Sequence, residues 1–562
     1  AVEMVEKAKS GHPGLPLGAA ELAAVLYGKI LRHNPVNPAW ADRDRFVLSN
    51  GHASMLLYSL LHCFGYDVPM DELKRFRQLD SRTPGHPEYG MLPGIEMTTG
   101  PLGQGFSHAV GMALAGRMLA ARLNRPDHDV IGYRVFGLCG DGDMMEGVTA
   151  EAASLAGHLK LGNLIFLYDS NRITIEGSTE LAFTEDVPGR FRAYGWHVVE
   201  CDGYDHQAIA QALSEGVAET ERPTLIVGHT EIGHGAPTLH GQAKTHGSPL
   251  GPDEVRRAKD AAGWPQEPTF FVPDAARRAF IDVGKAGTAL RQAWDVRFEA
   301  FKRSYPDVAD GWLAARRGDV PCDLFDHLKE AAHKAAGKAT RVVSGCTIAA
   351  AHQAVPFLVG GAADLAPSTE TLMKDAGHVG MGIGLERYAG ANLHFGIREH
   401  AMGAMVNGMA LEGSFRPFGA TFLVFSDYMK PALRMAALMQ ARSTFVFTHD
   451  SFGVGEDGPT HQPIEHLWML RSIPGMTVFR PADAIEVAAA WHYAIALSTG
   501  PVAIALTRQA VPTFERDRSV GLDDILKGAA VVREPRGCAL DVVIVATGSE
   551  VPLALQAHEI LA

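Results

Sequence analysis

The segments VFGLCGDGD (residues 135–143) and LIFLYDSNRI (residues 164–173) decide the fold of this chain. Each begins with an apolar run that is typical of a buried parallel strand. The residues between them, 144–159, are rich in Ala, Leu, Met and Glu, and they predict a helix. This strand–helix–strand order predicts a parallel sheet. Both polar turns then lie at the carboxyl ends of their strands, where such sheets bind ligands.

The two turns offer oxygen ligands at the same edge of the sheet. Asp141 supplies a carboxylate and Asn171 an amide oxygen, and the glycines of the first turn let a ligand approach the backbone closely. Oxygen ligands suit a hard cation such as Mg²⁺ or Ca²⁺, and Mg²⁺ usually shares its coordination shell with substrate phosphates. The pair therefore predicts a metal and phosphate site. The alternative is two ordinary turns beside two strands.

The composition is that of an ordinary globular protein. The 562 residues are 46% hydrophobic and predict about three to four domains. A net charge of −13 disfavours a general role in binding nucleic acid or anionic membranes, so a phosphorylated ligand needs a local cluster of Arg and His. The six cysteines lack metal-ligand spacing, no apolar run approaches ~20 residues and no signal peptide is visible, which predicts a cytoplasmic protein. Because Ala1 and Ala562 both fall within helical patterns, we expect sequence beyond both ends, and a removed leader stays possible.

Four histidines lie on or beside glycine turns in the first half of the chain, namely His12, His52, His86 and His246. Any one of them alone is more commonly a turn or surface histidine. In one α/β domain, however, the loops at the strand ends converge, so we expect the four to share a site. Neutral imidazoles both donate to and accept from hydroxyls and carbonyls, which favours a carbohydrate site.

Four motifs together resemble the transketolase family of thiamine diphosphate enzymes. They are KSGHPG at 9–14, DRDRFVLSNGH at 42–52, GPLGQG at 100–105 and GDG at 140–142. The resemblance implies an α/β chain of three consecutive domains with mainly parallel sheets. Residues 1–306 would form the diphosphate-binding domain with a connector, 307–527 the pyrimidine-binding domain, and 528–562 the start of a truncated third domain. The apolar run at 542–545 is expected to be the first strand of that third domain.

The resemblance also implies which residues hold thiamine diphosphate and its metal ion. Mg²⁺ would be bound by Asp141, Asn171 and the carbonyl of Ile173, with Ca²⁺ or Mn²⁺ as substitutes. Glu399 would donate to the pyrimidine N1′, favouring the imino tautomer that takes the proton from thiazolium C2 and leaves an ylide. The other implied cofactor contacts are His52, Gly100, Leu102, Gly140, Gly142, Asp364, Phe422 and Phe425.

The residues implied to bind the sugar lie in both halves of the chain. Asp457 would bind a hydroxyl, and Arg341, Ser368, His449 and Arg508 would hold the phosphate, for which the donor fork of arginine is suited. The implied channel histidines are His12, His86, His246 and His461. Of these, His12, His246 and His461 are catalytic candidates beside Glu399. From the residues alone, an exposed helix-start glutamate, solvated arginines and core phenylalanines stay open as alternatives.

The implied activity is reversible transfer of a two-carbon ketol unit from a ketose phosphate such as xylulose 5-phosphate to an aldose phosphate such as ribose 5-phosphate. It would proceed through an ylide and an enamine, in the pentose phosphate pathway or the Calvin cycle. A homodimer is implied, in which Asp141 and Glu399 at one cofactor come from different subunits; no nucleic-acid or membrane partner is expected. Dihydroxyacetone synthase, phosphoketolase and an inactive regulatory homologue are the alternatives. Departures at 242–244, 342–346 and His400 leave the sugar preference open.

Overall fold

The computed structural model describes residues 1–535 and 540–561. Cys538, one of the six cysteines counted above, lies outside the described residues. The chain divides into two compact units, Ala1–Ala309 and Asp310–Ala562, which we call the first and the second unit. The finer domain boundaries after residues 306 and 527 stay predictions.

The first unit contains a five-stranded sheet that is parallel throughout, with the order β1-β2-β3-β5-β4. Its strands are β1 (Arg45–Leu48), β2 (Val135–Gly140), β3 (Leu164–Ser170), β4 (His197–Asp202) and β5 (Thr224–His229). Strands β1, β2 and nearly all of β3 are buried, as their apolar sequences predict. The sequence interpretation did not include β4 and β5.

The second unit contains a six-stranded parallel sheet with the order β10-β11-β9-β8-β6-β7. Its strands are β6 (Leu358–Ala362), β7 (Asn392–His394), β8 (Arg416–Phe422), β9 (Thr444–Thr448), β10 (Thr477–Phe479) and β11 (Val502–Ala505). Two mainly parallel sheets in separate units confirm the predicted fold class for this part of the chain.

Helices connect the strands of both sheets. They are α1 (Val2–Ala8), α2 (Gly14–Gly18), α3 (Ala20–Val25), α4 (Ser54–Cys63), α5 (Met70–Lys74), α6 (Gln104–Leu123), α7 (Asp141–Met145), α8 (Gly147–His158), α9 (Val187–Ala193), α10 (His206–Ala218), α11 (Lys244–Gly247), α12 (Pro252–Ala261), α13 (Asp274–Ser304), α14 (Pro306–Arg317), α15 (Leu324–His333), α16 (Thr340–Ala354), α17 (Ala366–Thr369), α18 (Glu399–Glu412), α19 (Ser426–Met439), α20 (His466–Arg471), α21 (Ala484–His492), α22 (Leu522–Leu526) and α23 (Val551–Leu561). None of the helices in the described ranges has the length and apolar character needed to cross a membrane.

The single helix predicted over 144–159 is wrong in its start and its continuity. Strand β2 runs directly into α7, which begins at Asp141, and Glu146 takes an extended conformation before α8 begins. The early start has a local cause, since the carboxylate of Asp143 accepts the backbone N–H of Gly140 at 3.1 Å and caps the short helix.

The strand predicted at 542–545 is also wrong. These four apolar side chains are 43–86% exposed, and in the described ranges no strand pairs with them. An apolar run becomes a strand only where a neighbouring strand takes its hydrogen bonds, so the sequence pattern alone is insufficient here.

Candidate active site

Asp141 links the two polar turns at the edge of the first sheet. Gly140 and Asp169 are register partners across β2 and β3, which brings the turns side by side. The Tyr168 hydroxyl donates to Asp141 Oδ1 at 2.5 Å, and the backbone N–H of Arg172 donates to Oδ2 at 3.0 Å. Burial raises the pKa of Asp141, whereas these hydrogen bonds favour its ionised form. Its carboxylate is therefore buried and held in one orientation.

The amide of Asn171 is oriented by a second buried acid. Asn171 Nδ2 donates to Asp169 Oδ2 at 2.7 Å, and Asn171 Oδ1 accepts the N–H of Ile173 at 3.0 Å. The other oxygen of Asp169 accepts from the Thr230 hydroxyl. Burial raises the pKa of Asp169 to about 7. A carboxylate and an amide oxygen, each with acceptor capacity left, form a donor set that fits a hard divalent cation.

The Gly-rich turn before α6 packs against both neighbouring turns. Gly100 has a φ of +138° and Gly103 one of +75°, conformations that favour glycine. A Cβ added at Gly142 would lie 2.7 Å from Leu102 Cδ1, and one added at Gly51 would lie 2.7 Å from the N atom of Gly100. The glycines thus permit a close approach of three loops, as a diphosphate site requires.

Asp143 fastens these three loops together, a role that the sequence interpretation missed. It accepts from Ser49 Oγ at 2.6 Å, from Gly103 N at 2.8 Å and from Gly140 N at 3.1 Å, and it is fully buried. The available signal was the second acid of the Gly-Asp-Gly-Asp sequence. An acid at that position, between a buried strand and a mostly apolar helix, needs buried donors.

The four predicted histidines do form one cluster. Their ring centroids lie 4.9 Å apart for His52 and His246, 5.4 Å for His12 and His52, 5.7 Å for His12 and His246, and 6.1 Å for His12 and His86. Burial lowers the pKa of all four, that of His12 to about 4. The cluster is therefore neutral at physiological pH, and its imidazoles keep both donor and acceptor capacity.

Arg77 is a further residue at this cluster that the sequence interpretation missed. Its guanidinium lies 3.2 Å from His12 Nδ1 and donates to Ser10 Oγ at 2.7 Å. The positive charge adds to burial in lowering the pKa of His12. No motif contains Arg77, so only the folded structure reveals it.

In the second unit, Glu399 is the first residue of α18 and is 9% exposed. The Thr421 hydroxyl donates to its Oε1 at 3.3 Å. Burial raises the pKa of Glu399, which favours the protonated carboxyl. An exposed helix-start glutamate is thereby excluded, and the residue is suited to donating a hydrogen bond.

Aromatic rings and imidazoles gather at the ends of β8 and β9. Phe422 ends β8, and its ring stacks on His449 with centroids 3.6 Å apart. Phe425 lies at the end of the 3₁₀ turn that follows β8. The rings of Phe422 and Phe425 are 5.9 Å apart and nearly parallel, and His461 meets Phe425 edge-on at 5.3 Å.

The predicted phosphate-binding residues partly converge. Arg341 donates to the Ser368 carbonyl at 2.5 Å and lies 3.5 Å from His449 Nε2. Arg508 pairs with the exposed Glu456. Burial, with the charges of Arg341 and Arg508, lowers the pKa of His449 to about 3.

Two predicted residues of the second unit are exposed. Asp457 lies on the loop that follows β9. Asp364 lies just beyond β6 with a φ of +60°, an uncommon conformation for a residue other than glycine. Their positions alone do not assign a function to Asp457 or Asp364, so the binding roles implied for both stay predictions.

The whole chain is similar in sequence to members of one protein family. Residues 1–321 match the model of the transketolase thiamine diphosphate binding domain, and residues 336–513 match that of the transketolase pyrimidine binding domain. A transketolase of Halalkalibacterium halodurans is 50% identical over 100% of this chain and 83% of its own length. Transketolase 1 of Escherichia coli is 46% identical over 99% and 84%.

Solved structures give the same result. Transketolase from Leishmania mexicana superposes with a TM-score of 0.94 at 40% identity, covering 100% of this chain and 82% of its own. A Pichia stipitis transketolase in complex with sedoheptulose-7-phosphate superposes with a TM-score of 0.94 at 43% identity, with the same coverage.

Proposed function

The chain belongs to the transketolase family and has transketolase activity, and we propose that Asp141 and Glu399 hold opposite ends of its thiamine diphosphate. The observation that carries this proposal is the different setting of two buried carboxyl groups. The Asp141 carboxylate is held by two donors, the Tyr168 hydroxyl and the Arg172 N–H, beside the amide oxygen of Asn171. Glu399 begins α18 and accepts from the Thr421 hydroxyl at 3.3 Å, and burial raises the pKa of its carboxyl. The first setting suits a metal ligand, and the second suits a hydrogen-bond donor to a ring nitrogen.

The metal end is proposed to hold Mg²⁺, with Ca²⁺ or Mn²⁺ as substitutes. Asp141, Asn171 and the carbonyl of Ile173 would be its ligands. The donor set supports this assignment because it consists of oxygens alone, and because Asp169 fixes which end of the Asn171 amide is presented. Because Gly142 has no Cβ, Leu102 of the Gly-rich turn packs directly against the turn that carries Asp141, and we propose that the diphosphate binds between these turns.

Thiamine diphosphate, when bound, supplies the carbon nucleophile and accepts the electron pair released when the sugar C–C bond breaks. The chain's own residues then move protons and hold the sugar. Glu399 keeps its proton and donates it in a hydrogen bond to the pyrimidine ring, which Phe422 and Phe425 would flank. A neutral imidazole, with His12, His246 and His461 as candidates, takes the proton of the sugar hydroxyl next to the breaking bond.

The phosphate of the sugar is proposed to bind Arg341, Ser368, His449 and Arg508, with Asp457 at a hydroxyl and His86 lining the channel. Besides burial, the positive charges of Arg341 and Arg508 both lower the pKa of His449, and Arg508 also lowers the pKa of Arg341. The mutual influence of these three side chains supports a common site for an anion. Xylulose 5-phosphate as donor and ribose 5-phosphate as acceptor are the substrates that we propose. The pentose phosphate pathway or Calvin cycle and the cytoplasm remain predictions from the family.

The test is transfer from xylulose 5-phosphate to ribose 5-phosphate, with and without added thiamine diphosphate and Mg²⁺. We expect product only when both are present. Formaldehyde offered as the acceptor tests the dihydroxyacetone synthase alternative. Transfer that proceeds undiminished after exhaustive cofactor and metal removal would contradict the proposal.

The homodimer has its own test, since the proposal takes Asp141 and Glu399 at one cofactor from different subunits. Asp141→Ala and Glu399→Ala chains, each inactive alone, should regain up to about a quarter to a half of the activity when mixed and allowed to exchange subunits, because one of the two sites is then intact. Mixtures that stay inactive while sedimentation shows subunit exchange would contradict the shared site.

A further inference from the structure

Asn50 carries a buried side-chain amide with no protein partner. The residue is fully buried, and neither Oδ1 nor Nδ2 has a hydrogen bond within the described part of the chain. Buried amides are almost always satisfied, because leaving them unpaired costs free energy. An unsatisfied amide with both atoms unpaired therefore calls for a ligand.

The position of Asn50 identifies what it faces. It lies two residues beyond β1, whose register partner β2 leads into the Gly-Asp-Gly turn. A Cβ added at Gly140 would lie 3.5 Å from Asn50 Nδ2. The amide donor is thus next to the strand end from which Asp141 projects.

The side chains on either side of Asn50 already have partners. The Ser49 hydroxyl before it donates to Asp143, and His52, two residues after it, belongs to the histidine cluster. In this segment, Ser49 and His52 have side-chain contacts, whereas the amide of Asn50 between them has no hydrogen-bond partner among the described residues. The described residues supply no partner for Asn50, so a purely structural explanation would need a buried water at this position.

We propose that Asn50 Nδ2 donates a hydrogen bond to a phosphate oxygen of the bound cofactor, an inference that rests on the proposed function. The diphosphate has only acceptors, so the contact uses the donor end of the amide. Oδ1 is then left for a donor such as a water of the metal ion, since Mg²⁺ usually keeps several waters. As a neutral donor, Asn50 would bind the diphosphate without repelling the metal ion beside it.

The test is the affinity of the cofactor-free protein for two probes in the presence of Mg²⁺, measured by calorimetry. The probes are thiamine diphosphate and inorganic pyrophosphate. A hydrogen bond to a charged group corresponds to about a 10- to 100-fold change in Kd, so Asn50→Ala should weaken both probes by that factor. Asn50→Asp, which places a carboxylate against the phosphates, should weaken them further.

Stability separates this role from a structural one. Asn50→Ala removes no protein hydrogen bond, so the Tm of the cofactor-free protein should stay the same or rise, while the Tm increase caused by thiamine diphosphate shrinks. Asn124, the residue just after α6, is the matched control. Its Nδ2 donates to the Ile131 carbonyl at 2.8 Å, and its Oδ1 accepts two backbone N–H groups. Asn124→Ala should lower the Tm and leave both Kd values unchanged.

The outcomes are distinct. Wild-type protein that fails to bind thiamine diphosphate contradicts the proposed function itself. Wild-type binding with an unchanged Kd for Asn50→Ala overturns only the role of Asn50, as does a lowered Tm of the cofactor-free variant with normal affinity. Should Asn50→Ala not fold, Asn50→Ser supplies the same comparison with a smaller donor, and it too must weaken pyrophosphate binding.

Discussion

The half-site of the first unit and that of the second unit are built differently. Around Asp141 the functional groups are buried and fixed by donors from several segments, and Asp143 and Asp169 serve only to hold them. In the second unit, by contrast, Asp457 is exposed and Arg508 pairs with an exposed glutamate. The proposed cofactor end is therefore fixed by contacts within the chain, whereas the proposed sugar end includes side chains that are exposed in the single chain. Glu399 and His449 are exceptions in the second unit, since both are buried like Asp141 of the first.

Substitution of Glu399 gives the largest expected effect. Glu399→Ala should lower kcat by about 10²–10⁴-fold, because no other group would donate to the pyrimidine ring. The Tm should change little, since the hydrogen bond that Glu399 accepts from Thr421 is long, at 3.3 Å. Steady-state kinetics with saturating cofactor measure the effect, and near-normal kcat would remove Glu399 from its assigned role.

The preformed character of the first half-site is tested through Asp169. Asp169→Asn replaces a charged carboxylate with a neutral amide. This amide can present either its NH₂ group or its oxygen to Asn171, so we expect the Asn171 amide to lose its fixed orientation. Loss of such a supporting contact typically weakens metal affinity about 10- to 100-fold. Mg²⁺ titration in the presence of thiamine diphosphate measures this. An unchanged Mg²⁺ affinity would mean that Asp169 is structural only.

The open character of the second half-site is tested through Arg508. Arg508→Ala should raise KM for phosphorylated sugars about 10-fold and leave kcat nearly unchanged, because a charge-assisted hydrogen bond to the phosphate is lost. Glu456→Gln is the matched control, since it frees Arg508 and should not raise KM. A lowered kcat with normal KM would place Arg508 outside the phosphate site.

The smallest expected effect concerns the pH dependence of stability. The pKa of His12 is about 4 in the folded protein, below its ordinary 6.5, so between these values the unfolded chain binds more protons. Stability is then complete above pH 6.5 and falls as the pH drops toward 4. His12→Gln should make the Tm of the cofactor-free protein fall less steeply over that interval. An identical slope in the variant would contradict the neutral, buried state of this imidazole.

The edge of the first sheet could be predicted from the sequence because its signals are local. The apolar runs of β2 and β3 lead directly into the residues proposed to bind the metal ion, so the position of Asp141 follows from the strand end. The start of α7 could not be predicted, because its local cap needs the Asp143 side chain to turn back toward Gly140, and donors from distant segments hold that side chain in place. The strand predicted at 542–545 failed for a similar reason, since pairing is not a local property. Asn50 illustrates a third limit, as no sequence pattern reveals that a buried amide lacks a partner.

The bonds of Asp143 also bear on how fast the protein takes up its cofactor. They join segments 94 and 40 residues apart in the sequence, and both partners of each bond belong to the chain itself. Because these bonds do not use the cofactor, we expect a single-phase association rate that scales linearly with cofactor concentration. Differences in cofactor retention among variants should then arise almost entirely from their dissociation rates.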